Sequence, residues 1–252
     1  MKPIRITGFK KIYEGLLADL LVRGLFAVIA VSLMSGAWMG SGSFRSIWGS
    51  QLITIVYAVR MLLPLAALLL VFFGLQEVMP ISDWFAGCKK WVILAILSTA
   101  ANFVVVIISF SAIDTASYLG VRLSSAVFIL ELVFSGLMFV SLARGMWETL
   151  YHCGGEERVE QRFLGLERRI LAAWAADIIL SLLFAAACGT IIPQFEDLVL
   201  SLSHGLGAVR DRWALSAYLV IFSLTELWRF ILRCRMTIQS RRVWKAMDIL
   251  SR

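Results

Sequence analysis

The sequence predicts an all-α, polytopic membrane protein: six transmembrane helices in one domain, with short amphipathic helices at the membrane interface. Three observations carry that prediction. Of the 252 residues, 60% are hydrophobic and 16% charged, with a mean hydropathy of +0.84, well outside the composition of a soluble globular domain. Six apolar stretches reach the roughly twenty residues that cross about 30 Å of hydrocarbon. They are Leu16 to Gly36, Gln51 to Leu75, Trp91 to Phe110, Leu123 to Leu142, Ile170 to Ile192 and Trp213 to Leu232 (16–36, 51–75, 91–110, 123–142, 170–192 and 213–232). Lysine and arginine crowd alternate connections, which gives the orientation.

Four of these bases precede the first span (Lys2, Arg5, Lys10, Lys11) and two separate the second from the third (Lys89, Lys90). Five separate the fourth from the fifth (Arg144, Arg158, Arg162, Arg168, Arg169), and six follow the last (Arg233, Arg235, Arg241, Arg242, Lys245, Arg252). The other three connections hold Arg45, Arg122, Arg210 and Arg212. Seventeen against four predicts N- and C-termini in the cytoplasm. The net charge of +7 is thereby accounted for by topology and calls for no nucleic-acid partner. Trp38, Trp48 and Trp213 fall at the expected outer boundary, and Trp84, Trp91, Trp147 and Trp244 at the inner one, as aromatic belts do. Cys88, Cys153 and Cys234 fall on the cytoplasmic side and Cys188 within the fifth span, a distribution that argues against a disulfide framework. A bacterial inner membrane is the simplest host.

Residues 1 to 15 read as a basic lead-in, with Pro3 and Gly8 discouraging a helix before Phe9. The first span carries Asp19 and Arg23, a spacing that lets them pair on one helix face, and it is too long and too charged for a cleaved leader. In the second span Arg60 precedes Pro64, which lacks an amide hydrogen and crowds the Arg60 carbonyl, so a bend is expected there. Pro80, Ser82 and Asp83 are suited to cap a short cytoplasmic helix containing Trp84 and Phe85. Ser98, Thr99 and Asn102 are the polar groups of the third span, where they read as helix-to-helix hydrogen-bonding groups.

The fourth span contributes Glu131. After Gly154-Gly155, the stretch 156–169 places Val159, Phe163, Leu166 and Ile170 on one stripe, suited to the membrane surface, a cytosolic partner or the protein's own loops. Asp177 lies in the fifth span, 194–209 repeats the amphipathic pattern on the outside, and the sixth span holds Glu226 and Arg229. In 235–251 the apolar side is Met236, Val243, Met247 and Leu250, opposite a basic side suited to anionic lipid at the cytoplasmic face. Asp19 to Val28 can also be laid over Glu131 to Val140, as an inverted three-plus-three repeat would permit.

Arg60 and Glu131 both fall about 12 to 14 Å below the outer surface and are natural partners, while Arg23, Asp177 and Glu226 lie about 10 Å from the inner one, with Arg229 a turn nearer the cytoplasm. The expected intramembrane charge network is therefore Arg23, Arg60, Glu131, Asp177, Glu226 and Arg229, with Pro64 as the helix kink. Arg23 finds Asp19 locally and Arg229 finds Glu226, which leaves Asp177 without a partner on its own helix. Such groups serve either as interhelical pairs or as a polar pathway. No GxSxG, HExxH or P-loop occurs, and His152 and His204 fall on opposite sides, so neither a catalytic motif nor a metal or cofactor site is expected. No residue pattern marks a family; the layout is similar to that of the membrane subunits of some ABC exporters, at the level of architecture alone. A non-ATPase transport or translocation subunit in an oligomer or larger complex is the function expected. The alternative is a scaffold or assembly subunit, and a membrane-embedded enzyme ranks third.

Overall fold

The computed structural model describes residues 6–38, 50–111, 117–152, 165–180, 182–183 and 212–251. Side chains are described principally over 6–25, 62–104, 129–152, 165–180 and 227–249. Six helices make up these residues, with no strand among them: α1 (Ile6–Trp38), α2 (Ser50–Val78), α3 (Asp83–Ser111), α4 (Ser117–His152), α5 (165–180) and α6 (Arg212–Ser251). A single 3-10 turn, Met79–Ile81, joins α2 to α3.

The helices follow one another around a ring. α1 packs along α2, α2 against α3, α3 along α4, and α6 returns to α1. α5 lies on α4, where Trp174 Nε1 donates to Ser135 Oγ, and meets α6 through the ion pair of Asp177 with Arg229. All six helices supply one core, with Phe9, Leu75, Phe85, Met146, Ile170 and Met236 each almost fully buried. The α1–α2 seam is close. A Cβ on Gly74 would stand 2.7 Å from the Gly8 carbonyl oxygen, so these two backbones approach as closely as they do only because neither residue has a side chain.

Large apolar residues face outward around the ring, among them Leu21 and Leu25 on α1, Leu63 and Phe73 on α2, Leu97 on α3, Ile179 on α5 and Leu227 on α6. The charged residues Asp19, Asp177, Arg229 and Arg233 are buried. That inversion of the soluble pattern suits a bundle whose solvent is hydrocarbon. Among the described residues, three helical stretches are long and apolar enough to cross a membrane: Leu62–Ile81, Asp83–Val104 and Ile129–His152. They overlap the expected spans 51–75, 91–110 and 123–142 and run past them at the end where Val78, Phe85 and Met146 are buried. The other three expected spans, 16–36, 170–192 and 213–232, fall only partly within the residues whose side chains are described.

Four local expectations change. The lead-in is helical from Ile6, because Phe9 and Ile12 are buried against α2 and its neighbours; Gly8 is accommodated by the close seam. Ser82 does cap a helix, its Oγ accepting from the Trp84 amide at 3.2 Å, but that helix is α3 itself and no separate short one intervenes. The sixth span and the stretch 235–251 form one 40-residue helix. Its apolar side, Met236, Val243 and Met247, is buried in the protein core, and Trp244 stacks on Tyr13 of α1, so this stripe is spent on packing. Leu166 and Ile170 of the predicted 156–169 stripe are likewise core residues at the start of α5. Most of 156–169 and all of 194–209 lie outside the described residues. α2 continues as helix through Pro64.

Candidate functional site

The charges of the bundle converge on a cavity in the middle of the ring. Its volume is about 20 Å³, and α1, α2, α3, α4 and α6 all contribute to its wall. The polar groups on it are Asp19, Arg23, Thr99, Glu131, Ser135 and Arg233; Ala67, Val71, Ala95, Met138 and Phe139 supply much of the apolar remainder.

Asp19 is the hub on α1. Its Oδ1 accepts from Arg23 Nε at 2.9 Å, one turn on, and its Oδ2 accepts from Arg233 Nη1 on α6. The first contact holds the carboxylate in place along its own helix, and the second ties α1 to the helix that closes the ring. Arg233 is buried, and its guanidinium lies 4.9 Å from the Phe139 ring centre and 5.5 Å from that of Trp174. Those two rings pack together at 5.3 Å. An arginine in this position has an anion on one side and aromatic faces on the other, the combination that makes a buried guanidinium tolerable.

Asp177 on α5 pairs with Arg229 on α6, and both side chains are shut off from the surroundings. The Arg229 guanidinium also lies 5.7 Å from the Trp174 ring centre. Trp174 thus serves both arginines while its indole N–H is held by Ser135, whose own hydroxyl donates to the Leu132 carbonyl at 3.1 Å. Gly136 makes room for the ring: a Cβ there would stand 2.7 Å from Trp174 Cδ1.

Glu131 lines the cavity from α4. It interacts electrostatically with Arg23, Arg229 and Arg233, yet no ion pair or hydrogen bond of its side chain lies among the described residues. Thr99 is 3% exposed, and its Oγ1 has no hydrogen-bond partner among the described residues. Ser98, one residue earlier, turns back to its own helix, donating to the Ala95 carbonyl at 3.0 Å. Only Thr99 of that pair is aimed at the cavity.

Of the six charges expected in the network, Arg23, Glu131, Asp177 and Arg229 come together. The side chains of Arg60 and Glu226 lie outside the described residues, as does the expected pairing of Arg60 with Glu131. Asp177, expected to have no partner on its own helix, is met by Arg229 across the α5–α6 contact. Sequence spacing reveals partners within a helix and cannot show which faces meet. Arg233 was missed because it reads as the first base of a cytoplasmic tail. Its signal was available, since it follows Arg229 at four residues and therefore shares its helix face. The residues laid over one another in the internal similarity, Asp19 with Glu131 and Arg23 with Ser135, all line this one cavity. Among the described residues no group of three potential metal ligands occurs. Comparison with protein-family models, curated proteins and solved structures finds no match.

Proposed function

We propose that this chain is an integral membrane transport or translocation component, a non-ATPase subunit that works in an oligomer or larger membrane complex. Six crossings with both termini in the cytoplasm of a bacterial inner membrane complete that reading. It is supported by the outward leucines on α1, α5 and α6 and by the exposed bases Lys10, Lys90, Arg168, Arg241, Arg242 and Lys245, which belong to helix ends gathered at one end of the ring. That end suits the cytoplasmic face and its anionic lipid headgroups.

The observation that carries the transport reading is Glu131 on the wall of the central cavity, without a direct ion partner among the described residues while Asp19 and Asp177 each have one. A carboxylate spent on holding helices together would be expected to be clamped as those two are. Native purification followed by mass spectrometry tests the reading. Co-purification with an ATP-hydrolysing or substrate-binding subunit is the expected result; recovery only with subunits of a non-transporting complex would overturn it.

A scaffold or assembly subunit is the second reading, and the interhelical pairs Asp19–Arg233 and Asp177–Arg229 favour it. The two readings part at Glu131→Gln. A transport component loses function while its complex stays assembled, whereas a scaffold keeps both.

A further inference from the structure

We infer that the central cavity is a binding site for a single water molecule, held between the Thr99 hydroxyl and the Glu131 carboxylate. Volume comes first. About 20 Å³ exceeds the roughly 10 to 15 Å³ that one water requires and leaves no room for a larger solute. Most of the wall is apolar, but the Thr99 hydroxyl and the charges of Asp19, Arg23, Glu131 and Arg233 also lie on it, and a dry cavity would leave that hydroxyl without a partner.

The remaining hydrogen-bonding capacity on the wall then picks out the partners. Asp19 is engaged by Arg23 and Arg233. Ser135 Oγ already accepts from Trp174 and donates to Leu132. Thr99 Oγ1, 3% exposed and lining the cavity, has no partner among the described residues, and Glu131 has its carboxylate oxygens to offer. Buried hydroxyls are almost always satisfied, and ordered water is the usual partner where protein is lacking. A water that accepts from Thr99 and donates to Glu131 satisfies the hydroxyl and gives the carboxylate a donor that its surroundings otherwise supply only at longer range.

Why water and not an alkali cation? The two acids on the wall, Asp19 and Glu131, are balanced by its two bases, Arg23 and Arg233, so the cavity has no net negative charge to draw in a further positive ion. The water also makes Glu131 the wetted carboxylate of the bundle interior, the place where a polar pathway through the ring begins. That last consequence rests on the transport reading; the water site does not.

The test is the melting temperature of the full chain in lipid nanodiscs, which needs no transport assay, so failure of the transport reading leaves its result standing. Thr99→Val keeps the shape and removes the hydroxyl. If the site is wet, the valine variant loses the water and melts lower; if the hydroxyl is simply unsatisfied, valine melts at the same temperature or higher, which would overturn the inference. Thr99→Ser retains the hydroxyl and is expected to melt near the parent; an equal fall for serine and valine would count against the water. In the double variant with Glu131→Met the water is lost only once, so the combined shift should be smaller than the two single shifts together. Additive shifts, or a melting temperature that rises with sodium chloride but not with choline chloride, would remove water as the occupant.

Discussion

Asp177 and Arg229 meet on adjoining helices with side-chain exposures of 0% and 4%, so their ion pair sits where neither charge can be hydrated by bulk water. Removing one partner is more damaging than removing both. Asp177→Asn should lower stability by about 3 to 5 kcal/mol, since the Arg229 charge stays buried without its carboxylate. Asp177→Leu combined with Arg229→Met should recover most of that loss. Thermal unfolding of the three variants checks it; a double variant no better than the single one would contradict the pairing.

The Arg144–Glu167 pair, with Arg144 Nε 2.9 Å from Glu167 Oε1, offers a contrast. The Arg144 side chain is 40% exposed and also covers the Trp84 ring at 4.4 Å. Its ionic contribution should be about 0 to 1 kcal/mol. Glu167→Gln is therefore expected to shift unfolding slightly, and the shift should shrink as salt rises, whereas the Asp177→Asn effect should not. Equal salt sensitivity in the two variants would argue against the difference in burial.

Trp174 joins the packing and the electrostatics of the site. Trp174→Ala removes a buried ring that touches Phe139 and faces both arginines, and should cost about 3 to 5 kcal/mol. Trp174→Phe keeps an aromatic face and loses the donor to Ser135, so about 1 kcal/mol is expected. Chemical unfolding followed by circular dichroism distinguishes them. A phenylalanine variant as damaged as the alanine one would place the weight on the hydrogen bond.

Gly74 is where α1 and α2 touch. Any side chain at that position meets the Gly8 carbonyl, and a backbone oxygen cannot rotate aside. Gly74→Ala should destabilise by about 1 to 3 kcal/mol despite alanine's better helix propensity. If the alanine variant proves more stable than the parent, the helices are not in contact there.

Cys88 is fully buried, with its Sγ 3.4 Å from the Met138 carbonyl, while Cys234 is only half-buried. In a variant retaining Cys88 as its single cysteine, a membrane-permeant maleimide should react only on unfolding, because a buried thiol is neither accessible nor ionised. Rapid labelling under native conditions would mean that α3 and α4 separate at that level.

The sequence by itself determined the helical class, the apolar stretches, the end of the molecule that carries the basic residues, and the pairing of Asp19 with Arg23. Each follows from composition or from spacing along one helix, quantities that do not depend on a neighbour. It also marked Met236, Val243 and Met247 as one apolar stripe, yet whether that stripe faced lipid or protein was open. Only the tertiary structure decided that α6 runs on against α1 and buries it, that Asp177 has Arg229 as its partner, and that Arg233 turns inward to Asp19. The reason is rotational. A helix turned by one residue about its axis, roughly 100°, presents a different face to its neighbours, and that rotation is set by the summed packing of all its contacts, including close approaches such as Gly8 on Gly74. No single segment contains that information.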